Sequence, residues 1–159
     1  MSTLPSGGKD LSEEVVVSTM DLDVAQQFVR TRRVAVFVTI RGNGHPQLSN
    51  VLPHVEDDGI VRLSTTAAGA KYHNLVRQPW AALHVTSEDY AAYAVLEGTV
   101  ELTPVASRPD DPTVDELVEL YRALVGEHDD WDAYRRSMVA EERVVVRLTP
   151  DRAYGIVPT

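Results

Sequence analysis

Residues 62–79 contain the side chains that are best suited to bind a ligand. Residues 62–66 have the pattern of a strand, in which successive side chains point to opposite faces, and this places Arg62, Ser64 and Thr66 on one face. Lys71 follows in the first turn of a predicted helix, where a positive charge is unfavourable unless an anion is close. The alternative is that Arg62 and Lys71 are solvated surface charges. With the free N–H groups of the helix, the candidate phosphate-binding residues are Arg62, Ser64, Thr65 and Lys71.

The composition of the chain and the motifs that it lacks exclude several other kinds of site. The chain has no cysteine, which excludes disulfides, iron–sulfur clusters, thiolate zinc sites and a cysteine nucleophile. The net charge of -9 argues against a general nucleic-acid-binding protein. No histidine pair has the spacing of a metal site, so we predict no metal. Neither a Gly-x-Ser-x-Gly elbow nor an ATP-binding phosphate loop occurs, and no catalytic residue can be assigned.

The 159 residues fit one domain of ordinary size. Residues 1–19 are polar and predict a flexible N-terminal segment with a short strand at residues 14–17, and residues 20–159 predict a single domain. The N-terminus lacks the pattern of a secretory signal, and no apolar stretch approaches the ~20 residues that span a bilayer. We therefore expect a soluble cytoplasmic protein with no membrane contact.

The order of elements predicts a mainly β fold. Asp21 or Asp23 is suited to cap a helix that ends near Thr31. Further helices are predicted at residues 67–78, at 114–126 with Thr113 as N-cap, and at 131–142. Six strands in hairpin order indicate an antiparallel sheet, most simply a small closed barrel: 33–40, 46–55, 60–66, 80–86, 90–102, and a broken strand at 143–148 and 153–157.

Taken together, four segments resemble the pyridoxamine 5'-phosphate oxidase-like superfamily. They are the strand at residues 34–40, the hairpin at residues 42–49, the R-x-S-x…K-x-x-N-L…P pattern of residues 62–79, and the E-G-T-V sequence at residues 97–100. The resemblance is strongest to the branch of deazaflavin (coenzyme F-420)-dependent reductases. It implies a six-stranded antiparallel split β-barrel of the FMN-binding type. It also implies a homodimer with a flavin-type cofactor in each of two grooves between subunits.

The resemblance also implies roles for individual residues. Arg62, Ser64, Thr65 and Lys71 would hold the cofactor phosphate, and Asn74 would support the same region. The helical pair at residues 113–142 would shape the substrate pocket, without an assignment of individual residues. The residues that would lie along the ring system are Gln47, Ser49, Asn50 and Val51.

Coenzyme F-420 is the expected cofactor, with FMN as the alternative. The deazaflavin has an oligoglutamate tail, and the arginines near the first strand can meet it or simply keep a strand edge soluble. The expected reaction is hydride transfer to or from a small organic substrate; Tyr72, His54 and His73 are proton-donor candidates by sequence proximity alone. A non-catalytic flavin, deazaflavin or tetrapyrrole carrier and a purely structural dimer module are alternatives. The arginines in question are Arg30, Arg32, Arg33 and Arg41.

Overall fold

The computed structural model describes residues 19–158. The strand predicted at residues 14–17 lies outside the described residues, as does nearly all of the predicted flexible segment. The helices are α1 (Leu22–Arg30), α2 (Ala70–Arg77), α3 (Pro112–Leu124) and α4 (Trp131–Ala140). The strands are β1 (Thr19–Met20), β2 (Ala35–Ile40), β3 (Pro46–Val51), β4 (His54–Val55), β5 (Val61–Thr66), β6 (Trp80–Thr86), β7 (Tyr93–Leu102) and β8 (Arg143–Ile156).

The strands form one curled antiparallel sheet in the order β3-β2-β6-β7-β8-β5-β4, with β1 added to β8. This arrangement is a split half-barrel, so the predicted mainly β fold and antiparallel topology are confirmed. The long strand β8 connects the two halves, because it pairs with β7 on one side and with β5 and β1 on the other.

The predicted number of strands was wrong, since the described residues form eight strands and not six. The segment predicted as one strand at residues 46–55 divides into β3 and β4 around Pro53, which has no N–H group for a strand ladder. The strand predicted as broken is continuous: a register shift at Glu97/Gly98 absorbs the irregularity opposite Thr149 and Pro150. A Cβ on Gly98 would lie 2.0 Å from the carbonyl oxygen of Thr149, so only glycine permits this approach.

The helix starts follow capping chemistry. Of the two capping candidates, Asp21 is the N-cap of α1, and its carboxylate accepts from the backbone N–H of Asp23. The N-cap of α3 is Asp111 and not Thr113: the Asp111 carboxylate accepts from the N–H of Val114 at 2.8 Å. The Thr113 hydroxyl instead donates to the carbonyl of Pro104, which anchors the preceding loop to the helix.

The main core lies inside the curled sheet, between its inward face and helices α1 and α2. Its largest fully buried side chains include Phe37, Leu63, Leu75 and Leu83. A smaller core lies under α3 and α4, on the outward face of β8. Within residues 19–158, no helix is long and apolar enough to cross a membrane.

Candidate functional site

The turn between β5 and α2 leaves the start of the helix uncapped. The N–H of Gly69 donates to the carbonyl of Thr66 at 3.0 Å, and the N–H of Ala67 donates to that of Glu142 at 2.9 Å. Gly69 is the N-cap residue of α2, and no side chain caps the helix. First-turn N–H groups have no intrahelical acceptors. The start of α2 therefore presents hydrogen-bond donors at the positive end of the helix dipole.

Threonine hydroxyls border this helix start. A Cβ on Gly69 would lie 3.4 Å from Oγ1 of Thr66 and 3.8 Å from Oγ1 of Thr65. Thr65 is buried on the inward face of β5, whereas Thr66 is half-buried on the opposite face. The predicted site residue Thr65 thus lies at the start of α2, but not on the strand face of Ser64.

Two cations lie beside the same helix start. Burial lowers the pKa of Lys71, and the nearby positive charge of Arg143 lowers it further. Arg143 donates from Nη1 to the hydroxyl of Ser64 at 3.3 Å and from Nε to Glu141 at 2.9 Å. Within residues 19–158, no carboxylate forms an ion pair with Lys71. The surroundings of Lys71 therefore favour an anion.

Arg143 is a functional candidate that the sequence reasoning missed. It is the first residue of β8 and pairs with Thr66, the last residue of β5. The available signal was the antiparallel closure of the barrel, because strands that pair antiparallel bring the end of one beside the start of the other. The chain has many arginines, so the charge of Arg143 by itself did not indicate that it lies beside the end of β5.

Asn74 joins α2 to the sheet. Its Nδ2 atom donates to Oγ1 of Thr39 at 3.1 Å and to Oε1 of Gln47 at 3.0 Å. Its Oδ1 atom accepts from Arg77 at 3.1 Å, and Arg77 also donates to the carbonyl of Ile40 at 2.7 Å. The structure thus brings together two of the predicted site residues, Asn74 and Gln47. Both amide hydrogens of Asn74 are engaged, so its contribution is to hold α2 against β2 and β3.

The other predicted residues of β3 fall on different faces of the strand. Ser49 shares the inward face with Gln47, and its buried hydroxyl has no hydrogen-bond partner among the described residues. Val51 also points inward and is buried in the main core. Asn50 is exposed on the outward face. Successive strand residues alternate in direction, so the four predicted residues do not line one surface.

Arg62 lies in a network of carboxylates under α3. Its Nε atom is 3.1 Å from Glu116, and its other nitrogens are 3.5 Å from Asp58 and 4.0 Å from Glu56. Burial acts to raise the pKa of Glu116, but hydrogen bonds and charge from Arg147 and Arg62 outweigh burial and lower it. The structure thus gives Arg62 partners other than the start of α2.

The four arginines of the predicted basic region do not form one cluster. Arg30 donates to the carbonyl of Glu56, and Arg33 donates to that of Leu124 at the end of α3. These residues and Arg32 precede β2, whereas Arg41 follows it. A strand of this length separates them by roughly 20 Å. Arg41 therefore belongs to the other end of the sheet.

The proton-donor candidates are also dispersed. Tyr72 and His73 contact each other edge to face on α2, with ring centroids 5.6 Å apart. His54 lies on β4, 3.6 Å from Glu56. None of these contacts identifies a catalytic group.

The helical pair contains an aromatic cluster that the sequence reasoning did not identify. Its four rings lie 5.0 to 5.7 Å apart between centroids. The hydroxyl of Tyr134 donates to the carbonyl of Leu117 at 3.0 Å, and burial raises the pKa of Tyr134 to about 12. The cluster packs α3 against α4 and consists of Tyr121, His128, Trp131 and Tyr134.

Comparison with known proteins identifies relatives over most of the chain. A family model described as pyridoxamine 5'-phosphate oxidase matches residues 22–156. A conserved hypothetical protein from Mycobacterium tuberculosis has the same fold, with a TM-score of 0.68 and 23% identity over 91% of this chain and 92% of that one.

Two further solved structures have the same fold and are described by the cofactor that they use. An F-420 reductase matches with a TM-score of 0.62 and 22% identity, covering 80% of this chain and 94% of its own. A pyridoxamine 5'-phosphate oxidase-related, FMN-binding protein from Nostoc punctiforme matches with a TM-score of 0.55 and 14% identity, covering 83% and 78%. At these identities the structures support the fold.

Proposed function

Because the chain belongs to the pyridoxamine 5'-phosphate oxidase family, we propose that it is an oxidoreductase that binds the phosphate of a flavin-type cofactor at the start of α2. The observation that carries this proposal is the uncapped start of α2 with Lys71 beside it, unpaired with any described carboxylate. Helix N–H groups and a nearby ammonium are a recurrent way to hold phosphate.

The residues present fit such a cofactor. Thr65 and Arg143 supply a hydroxyl and a second cation near Lys71, and Ser64 orients Arg143 through its hydrogen bond. On β3, which Asn74 links to α2 through Gln47, the unpartnered hydroxyl of Ser49 is available to a polar ring atom. An orphaned buried hydroxyl costs free energy that a bound ligand would recover. The site is therefore complementary to phosphate at one end and to a heterocycle at the other.

The protein's own contribution is binding, orientation and exclusion of water. A flavin-type cofactor supplies two-electron oxidation–reduction chemistry when it is bound. Asn74 holds α2 in place relative to Gln47, so the phosphate end and the strand end of the site keep a fixed separation. Such positioning accelerates a reaction without a protein nucleophile. We assign no catalytic residue and propose a small organic molecule as substrate.

Coenzyme F-420 is the cofactor that we propose, with FMN as the alternative. Arg30 and Arg33 line the same cavity beside the start of β2 in a chain of net charge -9, and they offer a local basic surface to an acidic tail. The similarity to an F-420 reductase agrees with this choice, and the similarity to an FMN-binding protein keeps the alternative open. Separate titrations with FMN and coenzyme F-420, followed by cofactor fluorescence, would decide between them.

Turnover distinguishes an enzyme from a carrier. A reductase oxidises its reduced cofactor faster when an electron-poor substrate is present, and a carrier does not. A panel of small unsaturated carbonyl compounds, with absorbance of the reduced cofactor as readout, tests this difference. Tight cofactor binding with no acceleration by any of them would favour storage or sensing over catalysis.

We further propose that the protein acts as a homodimer. Leu48 on β3 and Leu52 just after it are 61% and 52% exposed, and Val34 before β2 is 58% exposed. Exposed apolar side chains grouped on one sheet are typical of an interaction surface. A second copy of the chain would cover them symmetrically. Sedimentation velocity at micromolar concentration tests the proposal, and Leu48→Asp should shift the protein toward monomer.

A further inference from the structure

A chain of side-chain hydrogen bonds runs from the last residue of α2 to the inward face of β3. Arg77 donates to Oδ1 of Asn74 at 3.1 Å, and Nδ2 of Asn74 donates to Oε1 of Gln47 at 3.0 Å. The same Nδ2 atom donates to Oγ1 of Thr39 at 3.1 Å. Asn74 and Thr39 are both buried. Because a buried amide needs a matching partner at each end, its orientation determines which groups its neighbours offer in turn.

Arg77 sets the direction of this chain. A guanidinium group has donors and no acceptor, so the atom of Asn74 that faces it must be the amide oxygen. If the amide of Asn74 were rotated by half a turn, its NH₂ group would face the donors of Arg77 and neither would be satisfied. The hydroxyl of Thr39 and the amide of Gln47 can each donate or accept, so they do not decide the orientation.

The turn between β2 and β3 holds Arg77 in place. Arg77 donates to the carbonyl of Ile40, the last residue of β2, at 2.7 Å. A Cβ on Gly42 would lie 3.6 Å from the guanidinium carbon of Arg77, so the guanidinium packs on the backbone of the turn. The guanidinium therefore has a defined position, although Arg77 as a whole is exposed.

The orientation of Asn74 leaves Gln47 with free donors. Oε1 of Gln47 accepts from Asn74, and within residues 19–158 no acceptor is bonded to its Nε2 atom. Gln47 is half-buried on the inward face of β3, which it shares with the unpartnered hydroxyl of Ser49. Leu48, between them, points to the opposite face, so this amide does not belong to the apolar surface of the proposed dimer.

We propose that Arg77 is a positioning residue for the cofactor: through Asn74 it fixes the amide of Gln47 so that Gln47 offers a hydrogen-bond donor to the heterocycle. The ring atom opposite Gln47 is then an acceptor, such as a carbonyl oxygen, and not a ring N–H. This role of Arg77 rests on the proposed function and adds the polarity of one contact to it. Lys71 lies three residues before Asn74 on the same side of α2, so one helix positions both the phosphate contact and the ring contact.

Hydrogen exchange of the side-chain amides, measured by NMR on the full chain without cofactor, tests the direction of the hydrogen bonds. The NH₂ protons of Asn74 should exchange with water about tenfold more slowly than those of Gln47, because only the former are bonded. Arg77→Met removes the donors and should speed the exchange of Asn74 about tenfold. Arg77→Lys keeps a donor without an acceptor and should preserve the slow exchange. Gln47→Glu deletes the NH₂ signals of Gln47 and so assigns them.

Fluorescence titrations with coenzyme F-420 and with FMN test the polarity of the ring contact. Gln47→Ala should raise the dissociation constant about threefold to tenfold, as for the loss of one neutral hydrogen bond. Gln47→Glu should raise it about tenfold further, because the carboxylate still accepts from Asn74 but turns an oxygen toward the ring acceptor. Gln78→Glu adds the same charge at the exposed end of α2 and should bind like the wild type, which controls for repulsion of an anionic cofactor.

A double-mutant cycle tests whether Arg77 acts through Gln47. Arg77→Met should weaken cofactor binding, and Arg77→Lys should restore most of the affinity. Arg77→Met combined with Gln47→Ala should bind no more weakly than Gln47→Ala alone, because the donor that Arg77 positions is already gone. Losses that add in the double variant would show that Arg77 only supports the fold, and this would overturn its positioning role.

The outcomes separate a failure of the polarity from a failure of the proposed function. If the wild type binds a cofactor and Gln47→Glu binds it as tightly as Gln47→Ala or more tightly, the ring presents a donor, and the polarity is overturned while the proposed function stands. Faster exchange of Asn74 than of Gln47 in the wild type would overturn the polarity in the same way. If the wild type binds neither coenzyme F-420 nor FMN, the proposed function fails, and the role of Arg77 fails with it.

Discussion

Arg62 on β5 and Arg147 on β8 are directly opposite each other in the sheet. Like charges at such positions repel and destabilise a strand pair. Glu116 of α3 offsets this repulsion, because its Oε1 atom accepts from Nε of Arg62 at 3.1 Å and from Nε of Arg147 at 2.9 Å. Arg147 also pairs with Glu101 on β7. The ion-pair network therefore ties α3 to three strands of the barrel.

Glu116→Gln should destabilise the fold by about 2 kcal/mol, because it removes the carboxylate shared by two partly buried arginines and leaves them only more exposed acidic partners such as Asp58 and Glu101. Urea unfolding followed by circular dichroism measures the change. Glu119→Gln is a matched control on the same helix. Among the described residues Glu119 pairs only with the exposed Arg122, so its replacement should cost less than about 0.5 kcal/mol. Equal effects of the two substitutions would show that the network contributes no more than a surface ion pair.

The same network predicts loss of stability in acid. The pKa of Glu116 in the folded protein is below its ordinary value of 4.5. The unfolded chain therefore binds this proton more readily, and the stabilisation is complete above pH 4.5 and decreases as the pH falls through the lower folded pKa. Thermal melting between pH 6 and roughly pH 3 should show a steeper decline for the wild type than for Glu116→Gln. Parallel curves would mean that other carboxylates dominate acid unfolding.

The sequence predicted the elements well where local chemistry determines them. The β-branched run at residues 34–40 and the Asn-Gly turn after it specify the hairpin of β2 and β3, and these features act between neighbours. Lys71 was placed at a helix start for the same reason. The wrong N-cap at Thr113 has an equally local cause: Asp111 and Pro112 together make a better start, with the proline in the first turn.

The candidate site was less predictable, because distant segments complete it. Arg143 lies 79 positions from its partner Ser64, and Glu116 lies 54 positions from Arg62. Which strand pairs with β5, and which helix covers that pair, follows from the closure of the barrel and not from any local pattern. The charge of Arg62 was visible in the sequence, but the carboxylates that engage it were not.

Cofactor selectivity provides a test of the basic surface near α3. Replacement of Arg30 and Arg33 together by glutamine should weaken binding of coenzyme F-420 by about tenfold and leave FMN binding unchanged, because only the deazaflavin carries the acidic tail. Fluorescence titration with each cofactor measures both constants. Arg41→Gln is the control, since Arg41 lies at the opposite end of β2 and should affect neither cofactor. An equal loss for both cofactors would show that these arginines do not recognise the tail.

The substitution Lys71→Ala should weaken cofactor binding without lowering the stability of the protein. Its positive charge lies in the first turn of α2, where alanine is the better helix former and the dipole disfavours a cation. Lys71→Ala should therefore leave the melting temperature of the protein without cofactor unchanged or raise it. A charge-assisted hydrogen bond to phosphate contributes roughly 1.5–3 kcal/mol, so the dissociation constant of the cofactor should rise about tenfold to hundredfold.

Arg143→Gln supplies the companion measurement, because Arg143 is the second cation at the same helix start. We expect weaker cofactor binding in this variant too, and a double variant with Lys71→Ala should lose less than the sum of the single effects if both cations contact one phosphate. Added salt should bring the cofactor affinities of the wild type and the variants closer together, as expected for a charge contact near solvent. An unchanged dissociation constant in Lys71→Ala would remove Lys71 from the site and leave it a surface charge.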